Sequence, residues 1–218
     1  MSRSQRDALA VVDWRRQVHA LYGAVRAERD PAAGHAVWIA GRTELFGSHP
    51  ASPRMAGQQL RHADYDPAFR FELPMADAAA DRFEASTGTD GTVGFERVGR
   101  FEFPVAGQQL DASGPAGARP RGAGLDVWWL ASYGGGLFVP VRDATAGTLT
   151  YGAGRYLLDT VKGASLGSGV AAGSWVIDLN FAYNPSCVYD PRWACPLAPS
   201  GNRIDVDAPV GELLPTGH

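Results

Sequence analysis

Cysteine and lysine are both scarce in this chain. Its 218 residues include two cysteines, Cys187 and Cys195, and a single lysine, Lys162. So few cysteines exclude a small scaffold that depends on disulfides. Long apolar runs are lacking too, since no segment approaches the roughly 20 apolar residues that a membrane-spanning helix needs. The N-terminal residues contain no continuous apolar stretch, so we expect no signal peptide, a cytoplasmic location and reduced thiols.

The net charge is small as well. It is −3, with an isoelectric point near 5.9. The chain therefore lacks the excess of positive charge that is typical of proteins that bind nucleic acid or an anionic membrane surface. The chain is 45% hydrophobic, enough to bury a core without disulfide or metal support. We therefore expect one domain over residues 1–218, with neither nucleic acid nor a membrane among its partners. The sequence leaves the oligomeric state open and is compatible with a homodimer.

Several motifs of common catalytic sites are missing. The stretch "SYGGGLF" lies between two predicted strands, where its glycines favour a turn over a phosphate-binding loop. There is no G-x-S-x-G elbow, and no two histidines have the helical spacing of a zinc site. The sequence therefore predicts no cofactor and no metal. His49 precedes a proline at the end of a predicted helix and is interpreted as a turn or capping residue.

The first 50 residues have the pattern of two helices. Asp30-Pro31 separates them, because aspartate caps a helix and proline suits its first position. Gly41 lies inside the second predicted helix, where glycine is unfavourable. Apolar residues recur at three- and four-residue spacings in the first helix, namely Val11, Trp14, Val18, Leu21, Tyr22 and Val25.

From about residue 65 onward the pattern changes to short strands. Runs such as "FRFELPM", "LDVWWLAS" and "SWVIDLNF" are rich in aromatic and β-branched residues and are separated by Gly, Asp and Pro. Asp90-Gly91 predicts a hairpin turn, and residues 112–124 form a low-complexity insert. The predicted fold is α+β and mainly β. Two N-terminal helices precede a β-rich body over residues 65–218, an antiparallel barrel or sandwich closed by a proline- and aromatic-rich C-terminal loop.

The strand "SWVIDLNF" carries the best candidate site. Strict alternation places Trp175, Ile177 and Leu179 on an apolar face, and it places Asp178 and Asn180 on the opposite face. A carboxylate beside an amide can position a proton transfer or bind a polar ligand.

A second stretch, "TYGAGRYLLDT", supplies Tyr151, Arg155 and Tyr156 next to a Gly-x-Gly bend. We expect Arg155 to lie near Asp178, holding an anionic or carbonyl group while Asp178 acts as the base. Tyr151 would then donate a hydrogen bond. In the alternative interpretation Arg155 only pairs with Asp178, and Asn184 caps the turn before Pro185.

The two cysteines allow three interpretations. They have no C-x-x-C spacing, so they can be buried small apolar residues, a reactive or metal-binding pair, or a disulfide. The first interpretation predicts that either Cys→Ala change costs on the order of 1–3 kcal/mol through lost packing.

Four segments together resemble the bacterial DUF1684 family, a domain of unknown function. They are "GRTELFGSHPASP", "ASYGGGLFVPVRDATAG", "TYGAGRYLLDT" and "IDLNFAYNPSCVYDPRWACPLAPSGNR". The resemblance implies no established activity, but it does imply that the residues of the last segment belong to a family pattern. Proline restricts φ along that segment, so its aromatic residues can close over a pocket. Tyr183, Asn184 and Trp193 join Asn180 and Tyr156 as candidate ligand-binding residues.

These observations lead to a small-molecule-binding β-barrel as the main hypothesis. Its extension is cofactor-independent acid/base catalysis on a polar metabolite. The alternative is a non-catalytic structural or interaction domain in which the same polar residues lock the C-terminal loop. A flavin-binding barrel is a third class, and Arg155 is its one candidate phosphate contact.

Overall fold

The computed structural model describes residues 5–87, 91–102 and 124–217. It begins with two helices, α1 at Gln5–Ala27 and α2 at Pro31–Ser48, as the sequence predicts. The Asp30 carboxylate accepts a hydrogen bond from the Ala32 amide at 3.1 Å, which caps α2. At the other end, the His49 ring accepts one from the Ala51 amide at 3.0 Å. The cap predicted at Asp30 and the turn role predicted for His49 are therefore confirmed.

Gly41 has a packing reason inside α2. A Cβ atom at this position would lie 2.4 Å from the Cδ1 atom of Leu21 on α1. The two helices therefore approach closely at this point, and the close contact offsets the low helix propensity of glycine.

Nine strands follow in the described residues. Their bounds are β1 Gln59–His62, β2 Arg70–Pro74, β3 Arg82–Thr87, β4 Gly91–Glu102, β5 Gly124–Leu130, β6 Leu137–Val141, β7 Arg155–Asp159, β8 Ser174–Asp178 and β9 Glu212–Thr216. Every pairing between these strands is antiparallel. Residues 88–90 of the predicted hairpin turn and residues 112–123 of the low-complexity insert lie outside the described residues.

The strands form three sheets rather than a closed barrel. Strands β3 to β7 make one open sheet in sequence order, while β1 pairs with β9 and β2 pairs with β8. A barrel requires the two edge strands to be hydrogen-bonded with a matching stagger. Here β3 and β7 end the sheet, and the remaining strands pair with each other in two ribbons. The predicted antiparallel β-rich body is confirmed, and its closure into a barrel is not.

Two apolar cores lie within this arrangement. The first joins α1 and α2 to the sheet through aromatic residues that include Trp38, Trp128 and Phe181. The second lies between the large sheet and the β2–β8 ribbon, with Leu125 and Ile177 near its centre. No helix in the described part of the chain is long and apolar enough to span a membrane.

The Gly-x-Gly bend predicted before Arg155 depends on Gly154. Its φ is +100°, and a Cβ atom there would lie 2.8 Å from the Ala198 Cβ and 3.0 Å from the Val141 carbonyl oxygen. We expect Gly154→Ala to lower the free energy of unfolding by at least roughly 1–2 kcal/mol, the cost of a left-handed non-glycine residue. The measurement is urea unfolding.

Gly152→Ala is the matched control for this change. Gly152 has no left-handed φ, and its added Cβ would make an ordinary contact of 3.5 Å with Gly147. Equal stability of the two variants would contradict the assignment of the bend to Gly154.

Candidate functional site

A cleft of about 270 Å³ opens between the α1–α2 turn and the β2–β8 ribbon. Both charge signs line it. The cationic residues are Arg26, Arg29 and Arg70, and the anionic residues are Glu28, Glu72 and Asp178. Charged groups of both signs therefore surround the cleft.

The register of the ribbon explains why Asp178 faces the cleft. Arg70 is paired directly with Asp178, and Glu72 with Val176, so these four side chains share one face. The opposite face carries Ile177, which is 1% exposed in the second core. The predicted alternation is therefore confirmed up to Asp178, where the strand ends. Leu179 and Asn180 lie in the 3-10 helix Leu179–Phe181 instead, which Asp178 caps. Arg70 and Glu72 were not among the sequence candidates, although the alternation of "FRFELPM" already places both on one face.

Asp178 is held by three hydrogen bonds. Its Oδ1 atom accepts from the Asn180 amide at 3.0 Å and from the Asn180 Nδ2 atom at 2.7 Å. Its Oδ2 atom accepts from the Tyr65 hydroxyl at 3.2 Å. Asn180 also donates to the carbonyl oxygen of Asp66 at 2.8 Å. The carboxyl group is thus fixed in position, and Tyr65 joins the predicted pair of Asp178 and Asn180.

Burial raises the pKa of Asp178 from 3.8 to about 6, although the hydrogen bonds from Asn180 and Tyr65 and the charge of Arg70 each lower it. Arg70 compensates this carboxylate only weakly, because both of its terminal nitrogens lie 3.1 Å from the Glu72 Oε1 atom. Asp178 can therefore take up and release a proton close to neutral pH, which is the property of a general acid or base.

His35 on α2 lies beside this group. Its ring is 3% exposed and lies 5.6 Å from the Tyr65 ring, between centroids. Burial lowers the pKa of His35, while a hydrogen bond to the Asn180 backbone acts in the opposite direction. Burial therefore favours the neutral imidazole, and its Nε2 atom is buried without a hydrogen-bond partner in the described residues. No sequence pattern pointed to His35, because a single histidine in an apolar helix is most often a core residue.

Arg155 is not brought to Asp178. It is fully buried, and its Nη2 atom donates to Asp143 at 3.2 Å. Its guanidinium also donates to backbone carbonyl oxygens of the C-terminal segment, at Ala208, Val210 and Glu212. The expected Arg155–Asp178 pair is corrected to Arg155–Asp143. The physical reason is the topology, since Arg155 begins β7 in the large sheet while Asp178 ends β8 in the separate ribbon.

The other predicted residues fall into two further groups. Tyr183 and Asn184 lie beside a buried ion pair between Arg42 and Glu212. Asn184 accordingly bonds to the C-terminal strand, donating from Nδ2 to the Leu213 carbonyl at 2.8 Å. The Tyr183 hydroxyl is buried with no hydrogen-bond partner in the described part of the protein.

The last group surrounds the two cysteines. The Tyr151 hydroxyl lies 3.8 Å from the Cys187 Sγ atom, and the Tyr156 hydroxyl donates to the Pro196 carbonyl at 2.8 Å. Cys187 and Cys195 are free thiols, and both are half-buried. Trp193 is half-buried in the same loop. Of the residues that the sequence predicted for the site, the cleft therefore contains Asp178, with Asn180 bonded to it.

Nowhere in the described ranges do three or more His, Cys, Asp or Glu side chains gather as a metal ion would require.

Comparison with known proteins shows a family without an assigned activity. Residues 57–213 match the family model described as "Protein of unknown function (DUF1684)". A solution NMR structure of an uncharacterized protein from Haloarcula marismortui is similar, with 25% identity and a TM-score of 0.52. The match covers 79% of this chain and 88% of that one. No curated protein matches the chain.

Proposed function

The chain belongs to the DUF1684 family, whose description names no activity, and we propose from its own side chains that it binds a small polar metabolite in the cleft. Asp178 exchanges a proton with the ligand, and no cofactor takes part. One observation carries the proposal. A carboxyl group held by three hydrogen bonds borders the cleft while Asp178 is only 1% exposed, and this burial raises its pKa to about 6.

The residues around the cleft have different roles in binding. Tyr65 and Asn180 orient the Asp178 carboxyl through their hydrogen bonds. Arg29 is exposed at the α1–α2 turn and Arg70 lies across the ribbon, so either guanidinium can meet an anionic group of the ligand. Such a contact would place a neighbouring acidic C–H, O–H or N–H group of the ligand near Asp178.

The non-catalytic alternative is supported by a different observation. Arg155 and Asn184 are buried and donate hydrogen bonds to the C-terminal segment, which is how polar residues that only lock a loop would behave. Their arrangement does not involve Asp178, whose hydrogen bonds are local to the cleft. The two functions can therefore be separated by changing Asp178 alone.

Asp178→Asn is expected to abolish ligand binding without lowering stability at pH 7. Asparagine keeps the shape, and its Oδ1 atom can still accept from Asn180 while its Nδ2 atom donates to the Tyr65 oxygen. The change also removes a charge that burial disfavours. The measurement is the thermal shift at pH 7 with a set of phosphorylated and carboxylated metabolites, applied to both proteins.

The sign of the pH dependence follows from the raised pKa. Below about pH 4 the carboxyl group is protonated in both folded and unfolded chains, and above about pH 6 it is charged in both. Between these values the folded protein binds the extra proton. Asp178 therefore lowers the free energy of unfolding by roughly 3 kcal/mol as the pH rises through this window. Asp178→Asn should lack that decrease.

Glu96→Gln is the control, because Glu96 forms its ion pair with Arg82 on the exposed part of β4. It should keep both ligand binding and the pH dependence of the wild type. The proposal is refuted if no metabolite in the set stabilises the wild type, or if the same metabolite stabilises Asp178→Asn equally. A large loss of stability in Asp178→Asn at pH 7 would show that Asp178 is a structural residue and would count against its role as a proton-exchanging group.

A further inference from the structure

Glu72 is bonded through both of its carboxylate oxygens. Its Oε1 atom lies 3.1 Å from each terminal nitrogen of Arg70, and its Oε2 atom accepts from the Val170 amide at 2.9 Å. Gly169 allows the backbone to approach here, because a Cβ atom at this position would lie 2.9 Å from the Glu72 Oε2 atom. The loop of residues 167–173 before β8 therefore fixes Glu72, and Glu72 in turn fixes the guanidinium of Arg70.

A second carboxylate lies next to Arg70 on the same face of the ribbon. Arg70 is the direct cross-strand neighbour of Asp178, and the Cβ atoms of such a pair are about 5 Å apart. Among the described side chains, however, the ion pair of Arg70 is with Glu72. The charge of Arg70 still lowers the pKa of Asp178, but burial of that carboxyl group outweighs it. A direct ion pair with Arg70 would lower this pKa much further, by about one to three units.

Other titratable and charged groups also face Asp178. The Tyr65 hydroxyl donates to it at 3.2 Å, and burial raises the pKa of Tyr65, so this group remains a donor. On α2, burial lowers the pKa of His35 and favours its neutral form. Arg70 is the cation that the strand register places directly opposite Asp178. The remaining charged residues of the cleft come from the end of α1 and the α1–α2 turn, namely Arg26, Glu28 and Arg29.

We propose that Glu72 is a positioning residue that holds the guanidinium of Arg70 away from Asp178 and thereby leaves Asp178 able to exchange a proton with a ligand. This inference rests on the proposed function of the cleft. Without Glu72, the guanidinium would turn to the next carboxylate on the same face, which is Asp178. A carboxylate paired with arginine is a weaker base, because the ion pair stabilises its charged form.

Arg70 remains able to bind an anionic ligand in this arrangement. A guanidinium carries five N–H donors, and the contact with the Glu72 Oε1 atom uses one on each terminal nitrogen. The other donors are available to a ligand. Glu72 therefore acts through Arg70 and needs no contact with the ligand itself.

The test is the pKa of the Asp178 carboxyl group in the full-length protein without ligand, followed by NMR of its side-chain carboxyl carbon as the pH is varied. Asp178→Asn identifies the signal. The wild type should titrate near pH 6. In Glu72→Gln the pKa of Asp178 should fall by at least about one unit, which is a tenfold lower proton affinity. Overall stability at pH 7 should change little, because the ion pair lost at Glu72 is replaced by one at Asp178.

A second pair of variants separates the two effects of Glu72. Losing its negative charge favours a charged Asp178 through space, whether or not Arg70 is present. Arg70→Gln and the double variant Arg70→Gln/Glu72→Gln measure this effect alone. Because the side chains of Arg70 and Glu72 are 27% and 31% exposed, water and salt screen them, and the pKa of Asp178 should differ by less than about half a unit between these two variants.

The inference is overturned if Glu72→Gln leaves the pKa of Asp178 at its wild-type value, or if Glu72→Gln lowers it equally with and without Arg70. In both cases a wild-type pKa near 6 would still support the proposed function of the cleft. A wild-type pKa close to the ordinary value of 3.8 would overturn both.

Discussion

Glu212→Gln is expected to lower the free energy of unfolding by roughly 3–5 kcal/mol. Glu212 is fully buried, and its Oε1 atom lies 2.5 Å from the Nε atom of Arg42. Its Oε2 atom accepts from the Asn184 amide at 2.7 Å and from the Tyr189 hydroxyl at 3.3 Å. Glutamine keeps the size of the side chain but removes the countercharge, which leaves a buried guanidinium without compensation.

The aromatic residues around Arg42 reduce this cost without removing it. The guanidinium lies 4.8 Å from the Phe46 ring centroid and 4.9 Å from that of Tyr183. Cation–π contacts of this kind contribute about 2 kcal/mol when desolvated, which is less than the loss of a buried ion pair. Urea unfolding of Glu212→Gln at pH 7 measures the net effect.

The same carboxyl group makes the free energy of unfolding decrease at acid pH. Burial by itself would raise the pKa of Glu212, but Arg42 and His62 lower it from 4.5 to about 2. Its contribution is therefore present above about pH 4.5 and is lost as the pH falls toward 2, by roughly 3 kcal/mol. Glu212→Gln should lack this decrease at acid pH.

Glu72→Gln is the matched control. Glu72 forms an ion pair with Arg70, but its side chain is 31% exposed, and exposed pairs contribute little to stability. Its unfolding should therefore stay close to that of the wild type. If Glu212→Gln is as stable as Glu72→Gln, another group compensates the charge of Arg42. The ion pair is then not required for stability.

Asp143→Asn is the second change with a large expected effect, again roughly 3–5 kcal/mol. Asp143 and Arg155 have side chains that are each 1% exposed, with 3.2 Å between Oδ1 and Nη2. Burial alone would raise the pKa of Asp143, but the Arg155 charge and the hydroxyls of Thr145 and Thr150 hold it below its usual value. Removing this charge leaves Arg155 in the core without a counterion.

The loss should also be visible in the C-terminal segment. Arg155 donates to the carbonyl oxygens of Ala208 and Glu212, so a displaced guanidinium releases residues that hold β9 in place. We expect faster amide hydrogen exchange from residue 208 onward in Asp143→Asn. The measurement is exchange followed by mass spectrometry, together with urea unfolding.

Asp205→Asn provides the comparison for that experiment. Asp205 pairs with Arg203 at 3.5 Å on the surface, where their side chains are 71% and 61% exposed. It lies in the same part of the chain, yet its removal should change neither stability nor exchange noticeably. A similar exchange pattern in Asp143→Asn and Asp205→Asn would contradict the anchoring role of Arg155.

The sequence alone determined the features that depend on local chemistry. Asp30-Pro31 marked the start of α2, because capping and the fixed φ of proline act within one turn. The alternation in "SWVIDLNF" placed Asp178 and Ile177 on opposite faces, because the side-chain period of a strand is two. Gly154 marked a sharp bend for the same local reason, since glycine tolerates positive φ.

Only the tertiary structure decided which strands pair and which charges meet. Arg155 and Asp178 are 23 positions apart and both were plausible partners, but strand β7 joined the large sheet while β8 paired with β2. Arg155 then met Asp143, and Asp178 met Tyr65. The physical reason is that strand pairing is a non-local choice among segments with similar alternation. The burial of Asp178 depends on that choice, and so do its pKa and the cleft beside it.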